Sequence, residues 1–274
     1  MIDFSVIIPT YNSANTISKA VSSILMQRDV SIEILIIDSL SSDDTIPILK
    51  SFDDARVKIV SEKDNGIYDA MNKGLKLAEG EWLYFLGSDD ELYNEFVLPN
   101  ILQFAHESQS GVIYGNVLIK GYVKWAKNKQ IYDGLFDIKK LLTKNICHQS
   151  IFYKTSLIKS HHIQFNYQYP VCADWDFNLK CWSINEFSYI DSIIAIFNGG
   201  GSSSNYTIDN FSKDIVNKYM EYFKVTSYFK LRHLIPVDKQ YQLHAIKHFK
   251  WLIKLHRILN PLIKIRLKKY YTSC

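Results

Sequence analysis

Within the first hundred residues, short β-rich apolar runs alternate with stretches whose apolar residues recur at helical spacing, and few folds accommodate that alternation. Phe4-Ser5-Val6-Ile7-Ile8, Ile32-Glu33-Ile34-Leu35-Ile36-Ile37, Arg56-Val57-Lys58-Ile59-Val60 and Glu81-Trp82-Leu83-Tyr84-Phe85-Leu86 read as four strands. Between them, Ala14 to Met26 carries Ile17, Val21, Ile24 and Leu25 on one helical face, and Gly66 to Ala78 carries Ile67, Met71, Leu75 and Ala78. The order β-α-β-α-β-α-β, with strands apolar almost throughout, predicts an α/β domain whose parallel sheet is covered by helices on both faces. Such sheets bind ligands beyond the carboxyl ends of their strands, so polar residues there are the first candidates for a site.

Beyond residue 110 the pattern loosens, with strand candidates at 111–119 and 148–153 and a helix predicted from Trp175 to Trp182. Gly199-Gly200-Gly201-Ser202-Ser203-Ser204 reads as a loop, which places a boundary near 205 between a domain at 1–205 and a basic, aromatic helical tail at 206–274. Charge follows the same division. From Phe211 to Cys274 there are 14 Lys/Arg against 3 Asp/Glu, and before it 18 against 25. A one-sign block of this kind is either a solvated helix face or a surface that meets a polyanion. With 47% hydrophobic residues the chain buries a sizeable core, which excludes disorder. Four cysteines without a C-x-x-C pair suggest neither a disulfide framework nor a zinc knuckle. The start lacks the basic and apolar regions of a signal peptide and no run approaches the ~20 apolar residues of a membrane span, so a cytoplasmic location is expected.

Three polar clusters fall at predicted strand ends: Pro9-Thr10-Tyr11-Asn12, the stretch from Asp38 to Thr45, and Gly87-Ser88-Asp89-Asp90. An exposed aromatic can stack on a nucleobase, a carboxylate can accept from base or ribose donors, and adjacent acids can hold a divalent cation against phosphates. Taken singly, each cluster is more commonly a turn or a helix cap. There is no G-x-x-x-x-G-K-[ST] loop, which disfavours an ATPase, and no Gly-rich basic loop after the first strand, which disfavours a sugar-nucleotidyltransferase.

Taken in order, Ile8-Pro9-Thr10-Tyr11-Asn12, D-x-x-S-x-D-x-T from Asp38 to Thr45, Asn65-Gly66-x5-Asn72-x-Gly74 and Ser88-Asp89-Asp90 resemble the family-2 glycosyltransferases. The resemblance covers residues 1 to about 100 and extends through Ala173-Asp174-Trp175-Asp176 to about 200. It implies a GT-A fold, with a donor half at about 1–100 and an acceptor half at about 101–205, an α/β nucleotide-binding sheet flanked by helices, a nucleotide-sugar donor, Mn²⁺ or Mg²⁺, and inversion at the anomeric carbon. Carried over by position, it implies that Pro9, Thr10, Tyr11, Asn12 and Asp38 cradle base and ribose. Asp69 or Lys73 then lies near the donor, and Ser88, Asp89 and Asp90 address ribose, sugar and metal. Asp90 is favoured as the direct ligand, with the reverse assignment to Asp89 left open. Two departures stand out: Gly87 occupies a position where many relatives begin the metal motif with aspartate, and Ala173 precedes Asp174 where relatives often have Glu-Asp. Asp174 matches the acid taken as general base, and Asp176, two positions on, faces another side of the helix and is expected to cap it or meet a basic neighbour.

The implied function is transfer of a sugar, expected from a UDP-sugar, to a glycan or polyprenyl-diphosphate-linked acceptor in surface polysaccharide synthesis. The alternative is a catalytically silent nucleotide-sugar-binding scaffold, for which Gly87 and Ala173 argue. His148-Gln149 falls where relatives carry a polar acceptor-side pair, and reads either as a buried, hydrogen-bonded histidine or as a metal or acceptor contact. His244 and His248 have helical metal-binding spacing, but with Lys247 and Lys250 beside them they read as a surface. In the tail, Trp251, Leu252, Leu255, Ile258 and Leu259 share a helical stretch with Lys247, Lys250, Lys254 and Arg257. Residues 211–274 are therefore expected either to pack on the core or to attach peripherally to an anionic membrane face, and no nucleic-acid partner is expected.

Overall fold

The computed structural model describes residues 1–200, 209–225 and 234–235. The first half runs β1 (Phe4–Thr10), α1 (Ile17–Leu25), β2 (Ile32–Asp38), α2 (Thr45–Lys50), β3 (Val57–Ser61), α3 (Ile67–Leu77) and β4 (Trp82–Phe85). The second half continues through β5 (Glu91–Leu92), α4 (Val97–Ser108), β6 (Val112–Lys120), β7 (Ile131–Tyr132) and α5 (Ile138–Leu141). A 3₁₀ turn at His148–Ser150 leads into β8 (Ile151–Lys154), followed by α6 (Thr155–Ser160), α7 (Ala173–Trp182), β9 (Phe187–Asn198) and α8 (Phe211–Phe223). The strands form one mixed sheet in the order β3-β2-β1-β4-β8-β6-β9-β5, with β7 paired to β6. Its parallel part is β3-β2-β1-β4; β8 joins antiparallel between β4 and β6, and β9 runs parallel to β6 over eight paired positions.

Why β1, β2 and β4 are apolar on both sides is now plain. Ile7, Leu35, Ile37, Leu83 and Phe85 face a core closed by α3, α7 and α8, whereas Val6, Ile8, Ile34, Ile36 and Tyr84 face one closed by α1 and α4. Gly74 marks where α3 lies on the sheet, since a Cβ there would strike Ile7 and come within 3.3 Å of Ile37. Strands β2 and β3 lie on one side of β1 and β4 on the other, so chain order reverses direction across β1. The crevice at the carboxyl ends of β1 and β4 is the place where an open sheet of this kind receives a ligand.

Helix α8 belongs to the same core as α7. Phe211, Ile215, Val216 and Tyr219 are buried, Phe211 packs on Trp175 with ring centroids 5.5 Å apart, and the Tyr222 hydroxyl donates to Asp176 Oδ1 at 2.7 Å. The start of the basic segment, beyond the boundary expected near 205, is thus packed against the α/β domain. The apolar and basic stretch from Lys247 to Lys264, with His244 and His248, lies outside the described residues. No helix among the described residues is long and apolar enough to cross a membrane.

Candidate active site

The three polar clusters meet on one rim and are tied together by their own hydrogen bonds. Asn12, at φ 48° in the left-handed region that asparagine tolerates, donates its N–H to Ser41 Oγ at 2.8 Å and accepts from the Ser42 N–H at 2.9 Å. The Ser13 N–H donates to Thr45 Oγ1, and the Ser13 hydroxyl meets that of Ser88 at 2.8 Å, joining the β1, β2 and β4 ends. Asp43 caps Thr45 and accepts from the Ala14 N–H at 3.1 Å. Pro9 and Thr10 are buried in β1, the Thr10 hydroxyl donating to Ile8 O, while Tyr11 is 63% exposed with its ring open to a stacking partner.

Asp38 is turned inward. It is fully buried, and its oxygens accept from the Ser41 N–H at 3.0 Å, from the Ser41 hydroxyl and from the Ser61 hydroxyl at 2.6 Å. In this arrangement it fixes the loop that leaves β2 and ties it to the end of β3. Asp69 and Lys73 likewise secure the turn before α3. Asp69 Oδ2 accepts from the Asn65 N–H at 2.9 Å, and Lys73 pairs with Glu62 at 2.9 Å and donates to Lys63 O.

The two acids after β4 differ sharply. Asp90 is 1% exposed; its Oδ1 accepts from the Asn198 N–H at 2.8 Å and its Oδ2 from Gln149 Nε2 at 2.6 Å. Burial first, and the neighbouring Asp89 second, push its carboxyl up to about 8. Asp89 is only partly buried, and burial raises its carboxyl too. The accessible carboxylate is therefore Asp89, with Asp90 behind it pinning the turn to the ends of β9 and the 3₁₀ turn. Gly87 explains the missing aspartate: a Cβ there would lie 2.5 Å from Asp90 Oδ2 and 2.9 Å from Asp89 Oδ1. The two carboxylates occupy the space a side chain at 87 would need.

Across the rim, a cleft of about 300 Å³ is walled by Trp125, Tyr132, Phe197, Tyr68 and the start of α7, and Asp174 lines it. Asp174 sits in the first turn of α7 and is held from three sides. Its Oδ2 accepts from Asn145 Nδ2 at 2.8 Å, and its Oδ1 from the Trp175 N–H at 2.9 Å. The Tyr68 hydroxyl lies 2.7 Å from Val171 O and 3.2 Å from Asp174 Oδ1; burial, and secondarily the charge of Asp174, keep that phenol protonated well above its ordinary range. His148 Nδ1 stands 3.5 Å from Asp174 Oδ2, and its buried Nε2 has no partner among the described residues. Asp176 points away from this cleft: fully buried, it pairs with Lys180 at 2.7 Å and takes the Tyr222 hydroxyl. It holds α8 on α7. A second hollow of about 220 Å³, between α4 and β9, lies away from all these groups.

Consecutive residues connect the two acid stations, since Gln149 holds Asp90 while His148 faces Asp174. Sequence reasoning passed over Asn145, Asn198 and Tyr68. Tyr68 lies inside the Asn65-to-Gly74 pattern and Asn198 directly before the glycine run, so each had a local signal, whereas Asn145 is an isolated amide in a loop.

Residues 5–164 match the family model described as Glycosyl transferase family 2. A PGL/p-HBAD biosynthesis glycosyltransferase of Mycobacterium bovis is 38% identical over 75% of this chain and 80% of its own length. The poly(ribitol-phosphate) β-N-acetylglucosaminyltransferase TarP of Staphylococcus aureus is 29% identical over 57% of this chain and 47% of its own. Among solved structures, S. aureus TarS 1-349 in complex with UDP-GlcNAc superposes with a TM-score of 0.70 over 90% of this chain and 75% of that one, at 19% identity, a likeness of fold. With the matched segment spanning more than half of its residues, the chain belongs to glycosyl transferase family 2 and is a glycosyltransferase of GT-A fold, with relatives in glycan and polysaccharide biosynthesis.

Proposed function

We propose that this glycosyltransferase inverts configuration while moving a sugar from a nucleotide-diphosphate sugar, favoured as a UDP-sugar, to a hydroxyl of a glycan or lipid-linked acceptor in surface glycan assembly. The observation that carries the proposal is the pair of acid stations joined through His148 and Gln149, one on the rim of the nucleotide crevice and one in a separate cleft. The UDP-GlcNAc carried by the TarS neighbour supports the donor class, and the polymer acceptor in TarP's name and the products in the mycobacterial enzyme's name support a surface-glycan role.

On this reading Tyr11 stacks on the base, while Asp38, Asn12 and Ser13 keep the loop around it in shape. An acceptor hydroxyl in the cleft gives its proton to Asp174 as its oxygen attacks the anomeric carbon, the bond from that carbon to the diphosphate oxygen breaks, and the diphosphate leaves with the electron pair. One base suffices for inversion. Asn145, the Trp175 N–H and Tyr68 orient the carboxylate so that a lone pair faces the cleft. No cluster of three or more His, Cys, Asp or Glu side chains that could hold a metal occurs among the described residues. The accessible carboxylate of Asp89 nevertheless fits a divalent cation that takes its other ligands from diphosphate and water, since such ions are commonly held by one or two carboxylates plus substrate phosphates. Asp89 is the residue to hold it, and such an ion supplies charge stabilisation to the departing diphosphate.

The test is Asp174→Asn. UDP affinity should stay within about twofold of wild type while UDP-sugar turnover falls by about a hundredfold or more, the usual effect of losing a positioned base. Turnover retained within tenfold would remove Asp174 from the reaction.

A further inference from the structure

Residues 120–144 differ in charge from the domain around them. They hold seven lysines and two acids, whereas the other residues up to 210 hold 11 Lys/Arg and 23 Asp/Glu. Asp133 takes up two of the lysines, pairing with Lys144 and, at 3.5 Å, with Lys140, and Asp137 is spent on the Lys140 N–H at 2.7 Å. Lys120, Lys124, Lys127, Lys129 and Lys139 are exposed, with no carboxylate in ion-pair reach among the described residues. The same stretch carries Tyr122 and Leu135, which after Met1 are the most exposed large apolar side chains among the described residues, and with them Ile131 and Trp125.

These groups are gathered at one place. Strand β7 pairs with β6 through Ile131 and Tyr132, Trp125 stands edge-on to Tyr132 at 4.9 Å, and the Lys144 ammonium lies 5.5 Å from the centre of the same ring. Trp125, Tyr132, Thr143 and Lys144 all line the cleft that holds Asp174, so the basic and apolar groups beside them in the chain border its mouth. The loop between β6 and β7 is braced: Val123 is buried, the Gly121 N–H donates to Asn128 Oδ1 at 3.0 Å and the Lys127 N–H to Gln130 Oε1 at 2.9 Å. It presents Tyr122, Lys124, Lys127 and Lys129 to solvent.

A partner for this surface must be anionic and must also favour apolar groups. The chain's own segment from Phe211 onward carries 14 Lys/Arg against 3 Asp/Glu, and a second copy meeting the patch face to face brings the same lysines, so like charge opposes both. A soluble polyanion engages the lysines but leaves Ile131 and Leu135 in water. An anionic bilayer face satisfies both kinds of group: aromatic and aliphatic side chains enter the headgroup boundary, and lysine stems lie along it with their ammonium groups on lipid phosphates. We infer that residues 120–144 dock on an anionic membrane surface, with the mouth of the Asp174 cleft turned to the lipid. Joined to the glycosyltransferase reading above, on which this last step rests, the docked cleft takes its acceptor hydroxyl from a lipid-linked molecule at that surface.

The test is sedimentation of the full chain with vesicles of phosphatidylglycerol and phosphatidylcholine in equal parts, and with phosphatidylcholine alone. Wild type should partition to the mixed vesicles about tenfold or more strongly, less so as salt rises. Lys124→Glu, Lys127→Glu and Lys129→Glu combined should remove that gain, and Tyr122→Ser with Leu135→Ser, which leaves every charge in place, should weaken partition by about tenfold. UDP affinity within about twofold of wild type reports that each variant is folded. With brominated phosphatidylcholine in the mixed vesicles, tryptophan quenching should fall in Trp125→Phe and persist in Trp251→Phe. Wild-type partition in both patch variants, or quenching lost in Trp251→Phe but kept in Trp125→Phe, would overturn the inference and assign any membrane contact to the tail. No partition of wild type to either vesicle would overturn it as well, and capture of soluble polyphosphate in that case would make the patch a polyanion site. Absence of UDP binding by wild type would instead strike the nucleotide-sugar reading and leave the membrane surface standing.

Discussion

Replacing Asp90 with asparagine should stabilise the unliganded protein at alkaline pH. Its carboxyl is pushed up to about 8 in the folded chain, against 3.8 for the ordinary group, by burial and by Asp89. The sign follows from proton counts. Between these values the native state holds a proton that the unfolded state has released, so stability falls as pH rises. Near pH 6 the slope from this one group is close to 1.4 kcal/mol per pH unit, flattening towards pH 8, which gives a loss of about 2 kcal/mol from pH 6 to pH 8. For a chain of this size that corresponds to roughly 4–8 °C in Tm. Asp90→Asn has the same shape and no charge to lose. With Gln149 turning its amide over, the introduced amide can accept from the Asn198 N–H and donate to Gln149, replacing both contacts of the carboxyl. Thermal melts at pH 6, 7 and 8, in EDTA and without nucleotide, should show the variant's Tm falling less than that of wild type by about that interval. Parallel pH profiles, or a variant that loses more stability than wild type at pH 8, would refute the assignment of a buried, protonated acid here.

Wild-type UDP affinity should be at least tenfold higher in Mn²⁺ or Mg²⁺ than in EDTA, and Asp89→Asn should abolish that difference; calorimetry giving the same wild-type affinity in both would take the cation out of the site. Gly87→Ala should cost about 1–3 kcal/mol of stability and weaken UDP binding, because its Cβ meets both carboxylates. A melt and a UDP titration indistinguishable from wild type would show that the turn yields more easily than its packing indicates.

The first hundred residues were the legible part, for a reason visible in their packing. Strands buried on both faces are apolar at every position, as in Ile34-Leu35-Ile36-Ile37, and a run of that kind announces itself. Strand β9 does not, because Ser188, Asp191 and Ser192 interrupt it and its order comes from pairing along β6, a partner about 75 residues distant. Helix α4 carries Pro99 in its first turn, which a helix tolerates there but which reads as a break in sequence. In the site, residue type indicated which carboxylates to examine, but not which way they face. Asp38 and Asp90 turned out to be held within the protein, and nothing in the letters Ser-Asp-Asp distinguishes the acid that accepts from Gln149 and Asn198 from the one that stays open. Burial is a property of the whole fold, and only the fold could separate them.

The linkage of Asp176 to Tyr222 has a consequence for protein engineering. The family match ends at residue 164, yet Asp174 lies beyond it, on a helix whose back is covered by α8. A chimera that exchanged only residues 165 to 200 would set a foreign α7 against a resident α8, breaking the pair that Asp176 makes with Tyr222, and a foreign β9 against a resident β6 along which it must find register. The segment to exchange as a unit is therefore longer than the family-model match: it runs through Phe223, and it should be moved together with β6.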